Sequence, residues 1–134
     1  MTPQFTTVIG TVAGDLHDVG KSLVAMMWRA ARFDVIDLGT DVAAEAFVAA
    51  VTEHDADLVG LSALLTTLLT TSMGEMGRVV EAVRASGHRA GVVVGGAPIT
   101  SKFAGEIGAH GFAADAGAAV VLARQLVDSA ARPR

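Results

Sequence analysis

The chain has 134 residues, 51% of them hydrophobic, with a formal net charge of −4 and no cysteine. That length suits one domain; the lack of thiols excludes disulfides and thiolate metal sites, and scattered Lys and Arg, one Trp and no Tyr argue against nucleic-acid binding. A mean hydropathy of +0.50 fits a parallel sheet covered on both faces better than a membrane span, because the greasiest stretch, Leu58–Leu69, is broken by Gly60, Ser62, Thr66 and Thr67 and falls short of the ~20 apolar residues a span needs.

The segment Met1–Phe5 has no basic run followed by an apolar core, so no export signal is visible and a cytoplasmic location is expected. A first strand is predicted over Thr6–Ala13. It runs into Gly14-Asp15-Leu16-His17-Asp18-Val19-Gly20, and a helix follows over Val19–Arg32. One imidazole, with a carboxylate two residues before it, therefore stands at the carboxyl end of a strand, where open α/β sheets bind ligands. The next strand is predicted over Asp34–Leu38 and the next helix over Ala43–His54, with Asp41 as its candidate cap. Strand Leu58–Leu61 and helix Thr70–Ser86 follow, then strand Gly91–Val94 and helix Ser101–Ile107, with Gly87 and Gly108 as left-handed stops. Strand Gly111–Ala113 and helix Ala116–Ala130 complete five βα units. The expected fold is α/β: a single domain over 1–134, with a doubly wound five-stranded parallel sheet in the flavodoxin-like (Rossmann-like) order 2-1-3-4-5. Right-handed crossovers then set the loops after strands one and three side by side, bringing His17 near Ser62.

Several chemistries compete for the His17 loop. Gly20-Lys21-Ser22 is like the end of a phosphate-binding loop, but five residues separate Gly14 from Gly20 where that motif has four, and Asp15 and Asp18 would face the phosphates. A phospho-acceptor pocket needs an Asp at the end of the third strand, where Ser62 stands, and a Lys after the fifth, where there is none. Asp15, His17 and Asp18 could ligate a divalent ion, but structural zinc takes four ligands and the facing loops add no His or carboxylate close by. One imidazole suffices if the metal arrives with most of its ligands in place. The alternative of a plain loop histidine stays open at this point. It is the reading for His54, His88 and His110, which sit near element ends without a carboxylate at short spacing.

Asp15-Leu16-His17-Asp18-Val19-Gly20 resembles the Asp-x-His-x-x-Gly signature of cobalamin-binding domains, Ser62-Ala63-Leu64 their Ser-x-Leu element, and Gly95-Gly96 their paired glycines. Asp37–Val42, Leu61–Thr67 and Gly95–Thr100 are similar to the corrinoid proteins of methyltransferase systems, and the cobalamin-binding module of methionine synthase is similar too. The resemblance runs from Thr6 to about Val127. It implies a cobalamin-binding fold and a cobalamin cofactor, methylcobalamin or another corrinoid. His17 would be the lower axial ligand of cobalt, in place of the cofactor's own benzimidazole. Asp15 would accept from the other ring nitrogen. The detached nucleotide tail would enter a slot past Gly95 and Gly96, where side chains would fill the space. Asp18, Val19, Gly20, Ser62, Leu64, Thr66, Thr67 and Ala97 complete the implied cofactor contacts, and no catalytic side chain is implied.

The implied role is a corrinoid protein carrying a methyl group on cobalt between a methyl donor and an acceptor methyltransferase, a component of a methyltransferase system rather than a complete enzyme. The rival roles are the small subunit of an adenosylcobalamin-dependent mutase and a cobalamin-sensing regulatory module. Two departures stand out. The repeat Leu68-Leu69-Thr70-Thr71 reads as a four-residue insertion, about one helical turn. It leaves Leu68 and Ser72 as contenders for extending the His–Asp network, with Ser72 preferred because Leu relays no proton. The helical cap that precedes this domain in the family is expected to be absent, so a methyltransferase subunit or a separate capping subunit is the expected partner. A homo-oligomer stays open, and neither nucleic acid nor membrane is expected as a partner.

Overall fold

The computed structural model describes residues 5–15, 17–63, 69–96 and 99–131, and of residues 69–73 and 128–131 the backbone alone. The elements are β1 (Phe5–Thr11), α1 (Val19–Ala30), β2 (Phe33–Asp37), α2 (Ala44–His54), β3 (Leu58–Ser62), α3 (Leu69–Ala85), β4 (Gly91–Gly95), α4 (Ser101–Glu106), β5 (Gly111–Ala113) and α5 (Ala116–Ala131). All the pairings are parallel, in the order β2-β1-β3-β4-β5, as the alternation of apolar runs predicts. The winding reverses between β1 and β3, whose register sets Thr11 beside Ser62.

Element ends differ from expectation where local hydrogen bonds intervene. β1 stops at Thr11, not Ala13, because Val12 bridges to Val42 and the Asp15 N–H closes a turn on the Val12 carbonyl at 3.1 Å. Asp41 does not cap α2: the residue at that position is Ala43, with no side-chain cap, and the Asp41 carboxylate is spent on the Gly14 N–H at 2.8 Å. Gly87 (φ 77) and Gly108 (φ 78) are the left-handed stops expected. The calls on Leu64, Thr66, Thr67, Leu68 and Ala97 lie outside the described residues.

Side chains alternate across the sheet. Val8, Val12, Val59, Leu61, Val92 and Val94 belong to the core under α2 and α3. Ile9, Leu58 and Val93 belong to the core under α1 and α5. On this second face the carboxyl halves of β3 and β4 carry Gly60, Ser62 and Gly95, so large residues on one side of the sheet oppose small ones on the other. Trp28 of α1, 1% exposed, fills the space over Gly60. Its Nε1–H donates to the Ala119 carbonyl of α5 at 3.1 Å, and its ring meets Phe33 edge-on at 6.4 Å. Among the described residues no helix is long and apolar enough to cross a membrane.

A Cβ added to Gly60 would lie 2.8 Å from Cη2 of Trp28. Gly60→Ala should therefore force the indole to move and cost about 1–3 kcal/mol, as overpacking does. Urea denaturation followed by the emission of Trp28, the only tryptophan, measures both the loss and the displacement.

Candidate functional site

The β1–α1 loop is held from below by the segment between β2 and α2. The Thr11 N–H donates to the Gly39 carbonyl and the Val42 N–H to the Thr11 carbonyl, both at 2.9 Å. The chain then turns at Gly14, whose φ of 86° would strain most other residues. The Asp41 N–H returns to the Asp15 carbonyl at 3.0 Å, while the Asp41 side chain holds Gly14. Asp41 itself sits at φ 54°, a conformation that short polar side chains tolerate.

This frame presents His17. Asp15, at 0% exposure, accepts the His17 backbone N–H on Oδ1 at 3.0 Å, and the same oxygen lies 3.1 Å from His17 Nδ1. A carboxylate only accepts, so the ring proton is assigned to Nδ1, and in the neutral imidazole the lone pair is left on Nε2. The His17 side chain is 46% exposed and stands at the wall of a cavity. The Thr11 hydroxyl donates to the His17 carbonyl at 2.8 Å.

The cavity, of about 360 Å³, lies between the carboxyl halves of β1, β3 and β4 and helices α1 and α5. Ile9, Trp28 and Val93 line it, with Val24 and Ala119 from the two helices, and Ser62, Gly95 and Gly96 from the strand ends. A Cβ at Gly20 would meet nothing within 4 Å, so that wall is open to a ligand. The expectation that side chains at Gly95 and Gly96 would fill a slot needs refining. A Cβ on Gly95 would stand 3.0 Å from the Ala113 carbonyl oxygen, and one on Gly96, at φ 131°, would overlap the Ala63 carbonyl. Neighbouring backbone alone rules out a side chain at Gly96 and crowds one at Gly95.

Behind the loop, Lys21 is 3% exposed. Its Nζ lies 2.6 and 2.8 Å from the two Asp37 oxygens and 2.9 Å from Asp18 Oδ1. Burial pulls the ammonium pKa down, but hydrogen bonds and attraction from Asp37 and Asp18 outweigh it and hold the group above the ordinary lysine value. Asp18 is held below the usual carboxylate range, first by the hydrogen bond from Lys21, then by that from Ser22. Its carboxylate oxygen takes the Ser22 hydroxyl at 2.9 Å.

Of the residues expected at the site, His17, Gly20, Ser62, Gly95 and Gly96 line this same cavity and Asp15 lies directly under His17. Asp18 is engaged by Lys21 and Ser22 instead, and Val19 projects outward at 83% exposure. Ser72 lies on α3. Sequence reasoning gave Thr11 no role and did not pair Lys21 with Asp37. A lysine one residue after Gly20 that must be buried by a packed helix start calls for a carboxylate nearby, and Asp37 at the end of β2 was the available one. His88 also finds a carboxylate that spacing does not reveal, Asp55, at 2.9 Å. Among the described residues no group of three His, Cys, Asp or Glu is placed to hold a metal ion.

Residues 5–122 match the family model described as the B12 binding domain. A corrinoid protein of Desulfitobacterium hafniense (strain Y51) is 45% identical over 122 residues, covering 90% of this chain and 55% of the relative. Dimethylamine corrinoid protein 3 of Methanosarcina acetivorans is 44% identical, with the same coverage. The structure of the methanol:cobalamin methyltransferase complex MtaBC from Methanosarcina barkeri matches with a TM-score of 0.85 at 29% identity, over 95% of this chain and 48% of that one. The chain thus spans about half the length of the curated relatives it matches.

Breaking the Lys21–Asp37 pair should destabilise the fold. Lys21→Met is expected to cost about 1–3 kcal/mol, less than the roughly 3–5 kcal/mol of a fully enclosed pair, because Asp37 is partly in water. The depressed Asp18 pKa gives stability that is present above the ordinary carboxylate value and lost as pH falls through the lowered one; the raised Lys21 pKa gives stability present below the ordinary lysine value and lost as pH rises through the raised one. The melting temperature should therefore fall in acid below about pH 4, and Lys21→Met should flatten that acid limb.

Proposed function

This chain belongs to the B12-binding domain family, and on that premise we propose that it holds a cobalamin at the carboxyl edge of its sheet and serves as the corrinoid-carrying part of a methyl-transfer system. The observation that carries the reading is the His17–Asp15 pair: Nδ1 is engaged by a fully buried carboxylate, and Nε2 is the nitrogen left with a lone pair beside an apolar cavity.

The residues fit such a group. A corrin arrives with most of its metal's donors already supplied, so one protein donor suffices, and His17 would supply it through Nε2. The cavity under α1 and α5 would take the nucleotide tail, with Gly20 giving it room beside His17 and the Ser62 side facing it with a hydroxyl-bearing residue. When bound, the cofactor supplies cobalt chemistry for moving a methyl group.

The chain's own residues orient and tune. Asp15 keeps the proton on Nδ1 and so keeps Nε2 aimed and basic, as carboxylates behind ligating histidines do. Ile9, Trp28, Val24 and Val93 give the cavity an apolar lining. The names of the relatives, which speak of dimethylamine and of methanol, favour a small methylated compound as the methyl source and a methyltransferase subunit as the partner here.

Two measurements test this. Mixing with methylcobalamin should convert its absorption from the benzimidazole-ligated to a protein-ligated form. His17→Ala should abolish the change, and Asp15→Asn should weaken binding by about 10–100-fold. A wild-type mixture that keeps the free-cofactor spectrum would falsify the assignment. Gly20→Leu meets no protein atom near its Cβ, so it should fold with an unchanged melting temperature within a few degrees and lose roughly tenfold or more in cobalamin affinity, about 1.4 kcal/mol.

A further inference from the structure

Three polar groups of His17 are held by only two buried side chains. Asp15 takes the backbone N–H and faces ring Nδ1; Thr11, at 0% exposure, takes the carbonyl. The His17 carbonyl lies one residue before the α1 ladder, whose first such bond runs from the Ser22 N–H to the Asp18 carbonyl at 2.8 Å. Among the described residues the Thr11 hydroxyl is its donor. That hydroxyl is itself immobile. Thr11 is the last residue of β1, clamped through its N–H by Gly39 and through its carbonyl by Val42, and paired in register with Ser62 of β3.

We propose that Thr11 is a positioning residue for His17, closing the six-residue span between them and fixing the backbone from which the imidazole projects. The inference rests on the reading of His17 as axial ligand. The division of labour follows from the geometry. Asp15 sets the rotation of the ring and holds the peptide group before the His17 Cα through its N–H. Thr11 holds the peptide group after it through the carbonyl, and only with both ends held is the Cβ fixed. Valine in its place has nearly the same shape and no donor. The carbonyl would then have to shift toward water, because a polar group shut away without a partner is costly, and the ring would be carried off its aim with the fold otherwise intact.

The experiment compares wild type with Thr11→Val, Thr11→Ser and Thr11→Ala. Amide hydrogen exchange of Asp15 and His17 is measured without cofactor, and the protein-ligated fraction of bound methylcobalamin is read from its absorption. Thr11→Val should exchange about tenfold faster at those two amides and bind cobalamin about tenfold more weakly, with a reduced protein-ligated fraction, in proportion to one lost buried partner. Thr11→Ser, which keeps the hydroxyl, should restore both readouts to within about twofold of wild type, consistent with the same principle. Thr11→Ala repeats the hydroxyl deletion should the valine not fold. Wild-type exchange and full protein ligation in the deletion variants would overturn the proposal while leaving His17 as ligand. A Thr11→Ser as impaired as Thr11→Val would overturn it in favour of methyl packing. Wild type that fails to ligate methylcobalamin would remove the axial reading and this inference together, a result seen before any variant is compared.

Discussion

A carboxylate sealed from water needs its hydrogen bonds supplied by protein, and Asp15 takes two from a single residue. That constraint organises the carboxyl edge of the sheet. The loop has to turn tightly enough for residue 17 to reach back to residue 15, which calls for the left-handed Gly14. The turn needs support, which comes from Asp41 and the segment after β2. The ring left half in solvent has its orientation decided from inside the protein. A histidine on an unsupported loop would have to be ordered when its ligand arrived; here the ordering is done in folding.

The cavity has an equally simple origin in the unequal faces of the sheet. Under α2 and α3 the strands carry Val59, Leu61, Val92 and Val94, and the core is closed. Under α1 and α5 the corresponding carboxyl halves carry Gly60, Ser62 and Gly95, and the helices cannot descend to fill the space because Trp28 props them, bonded across to Ala119. A packed core and an apolar hollow thus coexist on two sides of one sheet about a strand's thickness apart. The matched family and the hollow's place beside His17 are consistent with a tail-shaped ligand entering there.

Much of this was legible in the sequence. Strands buried on both faces read as continuous apolar runs, so their order of appearance and the doubly wound arrangement followed, and Gly111–Ala113 is found at the expected bounds. The His17 loop was legible because its residue types are chemically unusual at such close spacing. What escaped depends on partners distant in the chain. Lys21 stood in a Gly-Lys-Ser run whose spacing fails as a phosphate loop, and only folding brings it onto its carboxylate, Asp37, sixteen residues on. Asp41 looked like a helix cap because it precedes α2, but a carboxylate three residues ahead of a helix serves whichever N–H comes nearest, and that was Gly14. Thr11 was one more residue of the strand predicted over Thr6–Ala13; its hydroxyl gains meaning only once the chain has doubled back to residue 17.

The support of His17 and the last wall of the hollow come from different stretches of the chain. Everything that steadies His17 lies between Thr11 and Ser62, whereas Ala113, Asp115, Ala116 and Ala119, which close the hollow, belong to β5, α5 and the turn between them. On a ribosome the residues that steady the imidazole emerge well before those of β5 and α5. A ligand that rests on both sets could be enclosed only once the final helix has docked.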